Sequence, residues 1–223
     1  GSRTVEIDPG PVIDARNRAG VGADTEQMSK NPQVPKDGPK PDISDALKMH
    51  QAGRFDAAQA AYEAVLAAHP AHADAENLLG VLHTQQARLP DAMARFARAT
   101  ELEPENADYW FNRGECARRL EQPGNAIDWY RTALRLRTQY KDAFSNLAAL
   151  LAQSDRHEEF FKLLHDGLDT HPETTDHLVQ IGQNLLSHKA IDAAGKLFEI
   201  LHARQPGHRI VVRNLSAARL RQG

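Results

Sequence analysis

One interval, 34 residues, constrains this chain more than any single side chain in it. Ala58, Ala92 and Ala126 recur at that spacing, Phe160 takes the next slot and Ala194 restores it. Four residues after each comes a large apolar side chain, Tyr62, Phe96, Tyr130, Leu164 and Phe198. Eight residues further on a proline closes the unit at Pro70, Pro104, Pro172 and Pro206, with Thr138 as the exception. A unit of that length cannot bury its own apolar face, so copies of it must stack on one another.

The residues within a unit read as two helices. Between Asp74 and Ala87, Leu78, Leu79, Val81 and Leu82 fall near helical spacing, and Gly80 stands where a neighbouring helix needs close approach. The Ala-rich stretch from Ala57 to Ala68 has high helix propensity and little side-chain entropy to lose. Asp74, Asp108, Asp142 and Asp176 begin successive first helices, where a carboxylate can accept from free amides and meet the positive end of the dipole. The prolines follow the second helices, which cannot easily continue past them.

These units resemble tetratricopeptide repeats. Trp110, Gly114, Ala126, Tyr130 and Ala133 follow that family's pattern in the third unit, and Leu178, Ile181, Gly182, Leu185, Ala194 and Phe198 follow it in the fifth. Leu79-Gly80 carries it in the second. The resemblance runs over residues 42–208 and implies an all-α fold, an α-solenoid in which about five helix pairs wind into a right-handed superhelix. Units are expected at 42–72, 73–106, 107–140, 141–174 and 175–208, with a capping helix over 209–223. The first unit is weak, with Asp42 and Asp45 where large apolar residues belong. The fourth departs most, with Phe160 in a small slot and Gly167 in its second helix. In the cap, Val211, Val212, Leu215 and Ala218 should face inward, and Arg209, Arg213, Arg219 and Arg221 outward.

Residues 1–41 differ in kind. They hold no aromatic side chain and half of the prolines, so they cannot bury enough apolar surface to offset ordering. A flexible arm is expected, with Val5, Ile7, Val12 and Ile13 available to dock on a repeat surface of this chain or of a second copy. Gly1-Ser2 without a methionine reads as a cloning scar, so a native start, signal peptide or anchor upstream stays open.

Chemistry leaves few marks. A net charge of -3 gives no general attraction to nucleic acid, and no apolar run is long enough to span a bilayer. One cysteine excludes an internal disulfide and leaves the compartment open; Cys116 reads as core filler. The eleven histidines form no His-Glu-x-x-His pattern, and surface positions are expected for them. Gly20-Val21-Gly22 lacks the strand, helix and lysine of a phosphate loop, and no nucleophile elbow occurs. No catalysis, cofactor or metal is expected.

What remains is recognition. In proteins similar to this one the first helices line a concave groove that receives a peptide or a partner's helix. The resemblance turns Asn112, Asn146 and Gln180 inward at equivalent points, a partial match to the asparagine ladder of O-linked N-acetylglucosamine transferases, with Leu78 and Ser44 breaking the row. Asn77, Asp108, Phe111, Glu115, Arg118 and Arg119 would add a charged and aromatic patch, extended by Asp142, Ser145, Gln153, Asp176 and Gln183. The plainer account makes the aspartates helix caps and pairs Arg118 and Arg119 with Glu115 and Glu121. A clamp for a C-terminal carboxylate is not expected, because its basic residues are missing. The expected role is a protein- or peptide-binding scaffold or adaptor. Two alternatives stand beside it: the substrate-selecting repeats of a larger glycosyltransferase, sulfotransferase or oxygenase, and a self-associating structural scaffold.

Overall fold

The computed structural model describes residues 42–222, so the expectation for the arm lies outside the described residues. Those residues form eleven α-helices and no strand, an all-α solenoid as the period predicts. Five antiparallel pairs follow in chain order: α1 (Ser44–Gln51) with α2 (Phe55–Ala68), α3 (Ala73–Gln85) with α4 (Leu89–Leu102), α5 (Ala107–Arg119) with α6 (Pro123–Leu136), α7 (Lys141–Gln153) with α8 (His157–Gly167), and α9 (Thr175–Ser187) with α10 (Ile191–Arg204). A last helix, α11 (Arg209–Gln222), packs on α10 and α9.

The period extends to backbone features that composition does not display. The N-cap slot is filled by His72, Asn106, Tyr140 and Thr174, each 34 residues from the last. His72 Nδ1 accepts from the Ala75 amide, and His208, next in the same register, accepts from Val211. Asn106 Oδ1 accepts from the amide of Asp108. The aspartates expected as caps therefore sit one residue inside their helices. They still meet the positive end of the dipole, but their oxygens are released for other partners. The turn inside every unit holds one residue with positive φ, again 34 apart: Gly53 (72°), Ala87 (58°), Glu121 (57°), Asp155 (55°) and Lys189 (64°). Only the first is the residue type that takes this conformation without steric cost.

Small meets large inside each pair. A Cβ added at Gly80 would stand 2.7 Å from the Phe96 ring, at Gly114 2.7 Å from Tyr130, and at Gly182 2.5 Å from Phe198. Ala58, Ala92, Ala126 and Ala194, on the second helices, are fully buried. The fourth unit inverts the arrangement. Phe144 on its first helix lies against Gly167 on its second, where a Cβ would come within 2.6 Å of the ring. Phe160 fills the alanine slot and is fully buried. α8 ends at that glycine, and two 3₁₀ turns, Leu168–Thr170 and Pro172–Thr174, lead on to α9.

Two further expectations need correction. His50, His72, His83 and His171 are buried rather than on the surface, each at 8% exposure or less. His50 reaches Gln85 at 2.9 Å, and His171 stacks on Phe144 with ring centroids 4.4 Å apart. In α11, Val211, Leu215 and Ala218 are buried as expected, but Val212 is 40% exposed. It occupies the register position of Leu178, which the second helix of its own pair covers.

Candidate functional site

The first helices carry most of the predicted site residues, and hydrogen bonds between units fix how they meet. Asn112 Nδ2 on α5 donates to Asn77 Oδ1 on α3 at 2.9 Å. Asn146 Nδ2 on α7 donates to Glu115 Oε1 on α5 at 2.7 Å. Asn112 and Asn146 are thus each tied to a residue of the preceding first helix rather than to one another. Asn112 meets a residue 35 positions earlier, not 34, because adjacent first helices lie slightly offset. The hydroxyl of Tyr109, which donates to Asp74, and the contact of His50 with Gln85 show the same offset.

Glu115 is the centre of this patch. Its carboxylate accepts from Asn146, from the Tyr130 hydroxyl, and from Arg118 through Nε at 3.3 Å and Nη2 at 2.9 Å. Burial by itself would raise its pKa, but the bonds from Arg118 and Tyr130 and the charges of Arg118 and Arg119 outweigh it and hold the pKa below the ordinary glutamate value. Arg118 is pushed up in turn by its bond to Glu115. Tyr130 is pushed up chiefly by burial, then by the Glu115 charge.

Asp108 forms a second, separate knot. Arg137, just past α6, grips it with both terminal nitrogens at 2.8 Å and lies over the Tyr140 ring at 4.6 Å. Such a planar, two-bonded pair fixes the guanidinium firmly. Asp108 therefore belongs to a pre-formed pair and not to a free acidic wall.

Two predicted contact residues move to other roles. Phe111, expected on the groove wall, is 7% exposed and packs between Tyr130 and Tyr140, with ring centroids at 5.8 and 5.0 Å. Asn77 is 9% exposed and supports Asn112 from beneath. Ser145 is likewise buried, at 8%. Asn112, Arg118, Asp142, Asn146 and Gln183 are half-buried, and Arg119 and Gln180 are exposed. Gln180 and Gln183 lie on α9, and no side-chain hydrogen bond joins them to the patch around Glu115.

Sequence reasoning missed Tyr130 and Arg137. A signal for the first existed in the choice between tyrosine and phenylalanine at the large slot. Tyr62 and Tyr130 have polar partners in reach, His50 Nδ1 at 3.3 Å and Glu115, whereas phenylalanine fills the slot at Phe96 and Phe198. Cys116 is filler as expected: it is fully buried, donates to the Leu89 carbonyl at 3.4 Å, and burial pushes its pKa up to about 11. Among the described residues no group of three or more His, Cys, Asp or Glu side chains could hold a metal ion, and no helix is long and apolar enough to cross a membrane. The patch is a set of amide, guanidinium and carboxylate groups fixed by hydrogen bonds.

Comparisons with known proteins agree with the repeat fold. Two family models, both described as tetratricopeptide repeat, match residues 49–110 and 85–141. The tetratricopeptide repeat-containing protein trd-1 of Caenorhabditis elegans is 29% identical over 97 residues, 44% of this chain and 13% of that protein. Protein O-mannosyl-transferase TMTC3 of Homo sapiens is 28% identical over 120 residues, 53% of this chain and 13% of that protein. The chain thus spans about an eighth of the length of these curated relatives. Among solved structures, YrrB, a tetratricopeptide repeat protein with an unusual peptide-binding site, superposes with a TM-score of 0.60 at 20% identity, covering 77% of this chain and 88% of its own. At that identity the likeness concerns the fold alone.

Proposed function

The chain is a tetratricopeptide-repeat protein, and from that premise we propose that its described module is a non-catalytic scaffold that takes a protein or extended peptide segment against its first helices. The observation that carries this reading is the network linking α3, α5 and α7 through Asn77, Asn112, Glu115 and Asn146. Each of Asn112 and Asn146 spends one N–H within the protein and keeps its amide oxygen and second N–H. Held in place in this way, the amides lose little entropy when a peptide backbone arrives. Arg119, Asp142, Gln180 and Gln183 supply side-chain contacts around and beyond them. YrrB supports the reading as a protein of the same fold that has a peptide-binding site.

The test is direct. A photo-crosslinker placed at Gln180, with a control at exposed Glu63 on α2, identifies segments that dock on the first helices. Changing Asn112 and Asn146 together to alanine should then weaken the captured partner by roughly tenfold or more, at about 0.5–1.5 kcal/mol per hydrogen bond. Unchanged affinity in the double variant, measured by calorimetry, overturns the reading. A second reading, substrate-selecting repeats of a larger enzyme, is favoured by the match to TMTC3 alone, an O-mannosyl-transferase much longer than this chain. The native reading frame around the segment distinguishes the two.

A further inference from the structure

Comparing units position by position exposes one place where the core pattern is broken twice at once. Leu79, Leu147 and Ile181 occupy one buried position of the first helices, and the third unit has Arg113 there. At one position at or just past the second helices, Leu66, Leu134 and Leu168 are apolar, the second unit has Thr100 and the fifth has His202. Thr100 and Arg113 meet across the boundary between α4 and α5, where Arg113 Nη1 donates to Thr100 Oγ1 at 2.8 Å.

The surroundings are equally particular. The guanidinium carbon of Arg113 lies 4.3 Å from the centre of the Trp129 ring and 5.6 Å from that of Trp110. These are the two tryptophans of the whole chain, and both are half-buried. Trp110 spends its indole N–H on the Pro104 carbonyl at 2.7 Å, which fixes its ring. In the preceding unit the same pair of positions is Glu76 and Arg95, an ion pair at 3.0 Å. At Arg113 no carboxylate among the described residues comes within ion-pair distance. Its Nε is buried without a partner, and burial draws its pKa down, opposed by the charge of Glu101. Leucine at 113, as in the neighbouring copies, would avoid the cost of burying an unpaired cation. Arginine and tryptophan are also the residue types that dominate binding hot spots.

We propose that the half-buried cluster of Arg113 and Trp110 on α5 with Trp129 on α6, beside Thr100 on α4, is a second docking point, distinct from the first-helix patch, that takes a glutamate or aspartate carboxylate from an acidic segment of a partner protein. The terminal N–H groups of Arg113 not spent on Thr100 pair with the carboxylate, while the two indoles orient the guanidinium and cover the aliphatic part of the incoming residue.

Because both tryptophans belong to this cluster, their fluorescence reports on it selectively. The full chain is titrated at low salt with blocked hexaglutamate, and in parallel with blocked hexaglutamine and with inorganic phosphate. The expected result is a saturable change with hexaglutamate that added salt weakens, and little with hexaglutamine. Arg113→Leu, the residue of the two adjoining units, should melt no lower than the parent and bind hexaglutamate at least about tenfold more weakly. Arg113→Met, which keeps the side-chain length, serves as the second variant. No saturable response to hexaglutamate, an equal response to hexaglutamine, a response to phosphate alone, or undiminished binding in the folded variants each overturns the assignment.

Discussion

Glu115 gathers four donors onto one carboxylate with a fifth of its side chain exposed, and that concentration makes stability near the patch depend on acid. Its pKa is lower in the folded chain than in the unfolded one, so the unfolded chain takes up the proton first. The stabilisation is therefore complete above the ordinary glutamate range, roughly pH 5 and higher, and fades as pH falls through the depressed folded value. Glu115→Gln should cost about 1–3 kcal/mol at pH 7, since it removes a charge that several buried donors require. The gap between parent and variant should close as pH falls below about 4, which urea midpoints at pH 7, 5, 4 and 3 would measure. A gap independent of pH would mean that shape rather than charge matters there. At this scale the sequence was only partly readable. The period placed Asn112, Glu115 and Asn146 on one helix set, but it could not tell that Phe111 turns into the core, because a single amphipathic position faces groove or neighbour according to a small helix rotation. Nor could a repeat register of 34 reveal bonds that run at an offset of 35.

The turn inside each unit carries a consequence at the level of the helix pair. Ala87, Glu121, Asp155 and Lys189 adopt the left-handed backbone that Gly53 adopts freely, with a steric cost of roughly 1 kcal/mol or more for each side chain. Glycine at any one of these four positions should stabilise the module by about 0.5–1 kcal/mol, the cost of its freer unfolded chain included. Thermal melts of the four single variants check this, and a loss of stability at any of them would show that its side chain contributes more than the backbone costs. Helix pairs were the most legible level of all. Small slots and closing prolines each hold in four of five copies, so a departure in one copy is outvoted by the others. What the repetition could not carry is whatever differs between copies: the inverted fourth unit, and the Thr100–Arg113 pair that spans two of them.

Across the module, each pair rests only on its neighbours, so loss of one end should spread inward gradually. α11 covers the last pair with Val211, Leu215 and Ala218. Removing residues 209–223 should raise amide exchange in α9 and α10 by at least about tenfold and leave α3 to α6 nearly unchanged. Uniform acceleration throughout would instead mean that the stack melts as one body. The fourth unit adds a consequence for ancestry and engineering. With Phe144 seated over Gly167, the two halves of that unit recognise only each other: joined to another first helix, α8 would leave a hollow, and joined to another second helix, α7 would drive its ring into an alanine methyl or a leucine. Gene segments exchanged by recombination can break cleanly between α6 and α7 but not between α7 and α8, so permissible seams in this array fall at unit borders, and its inheritance is dealt in whole cards.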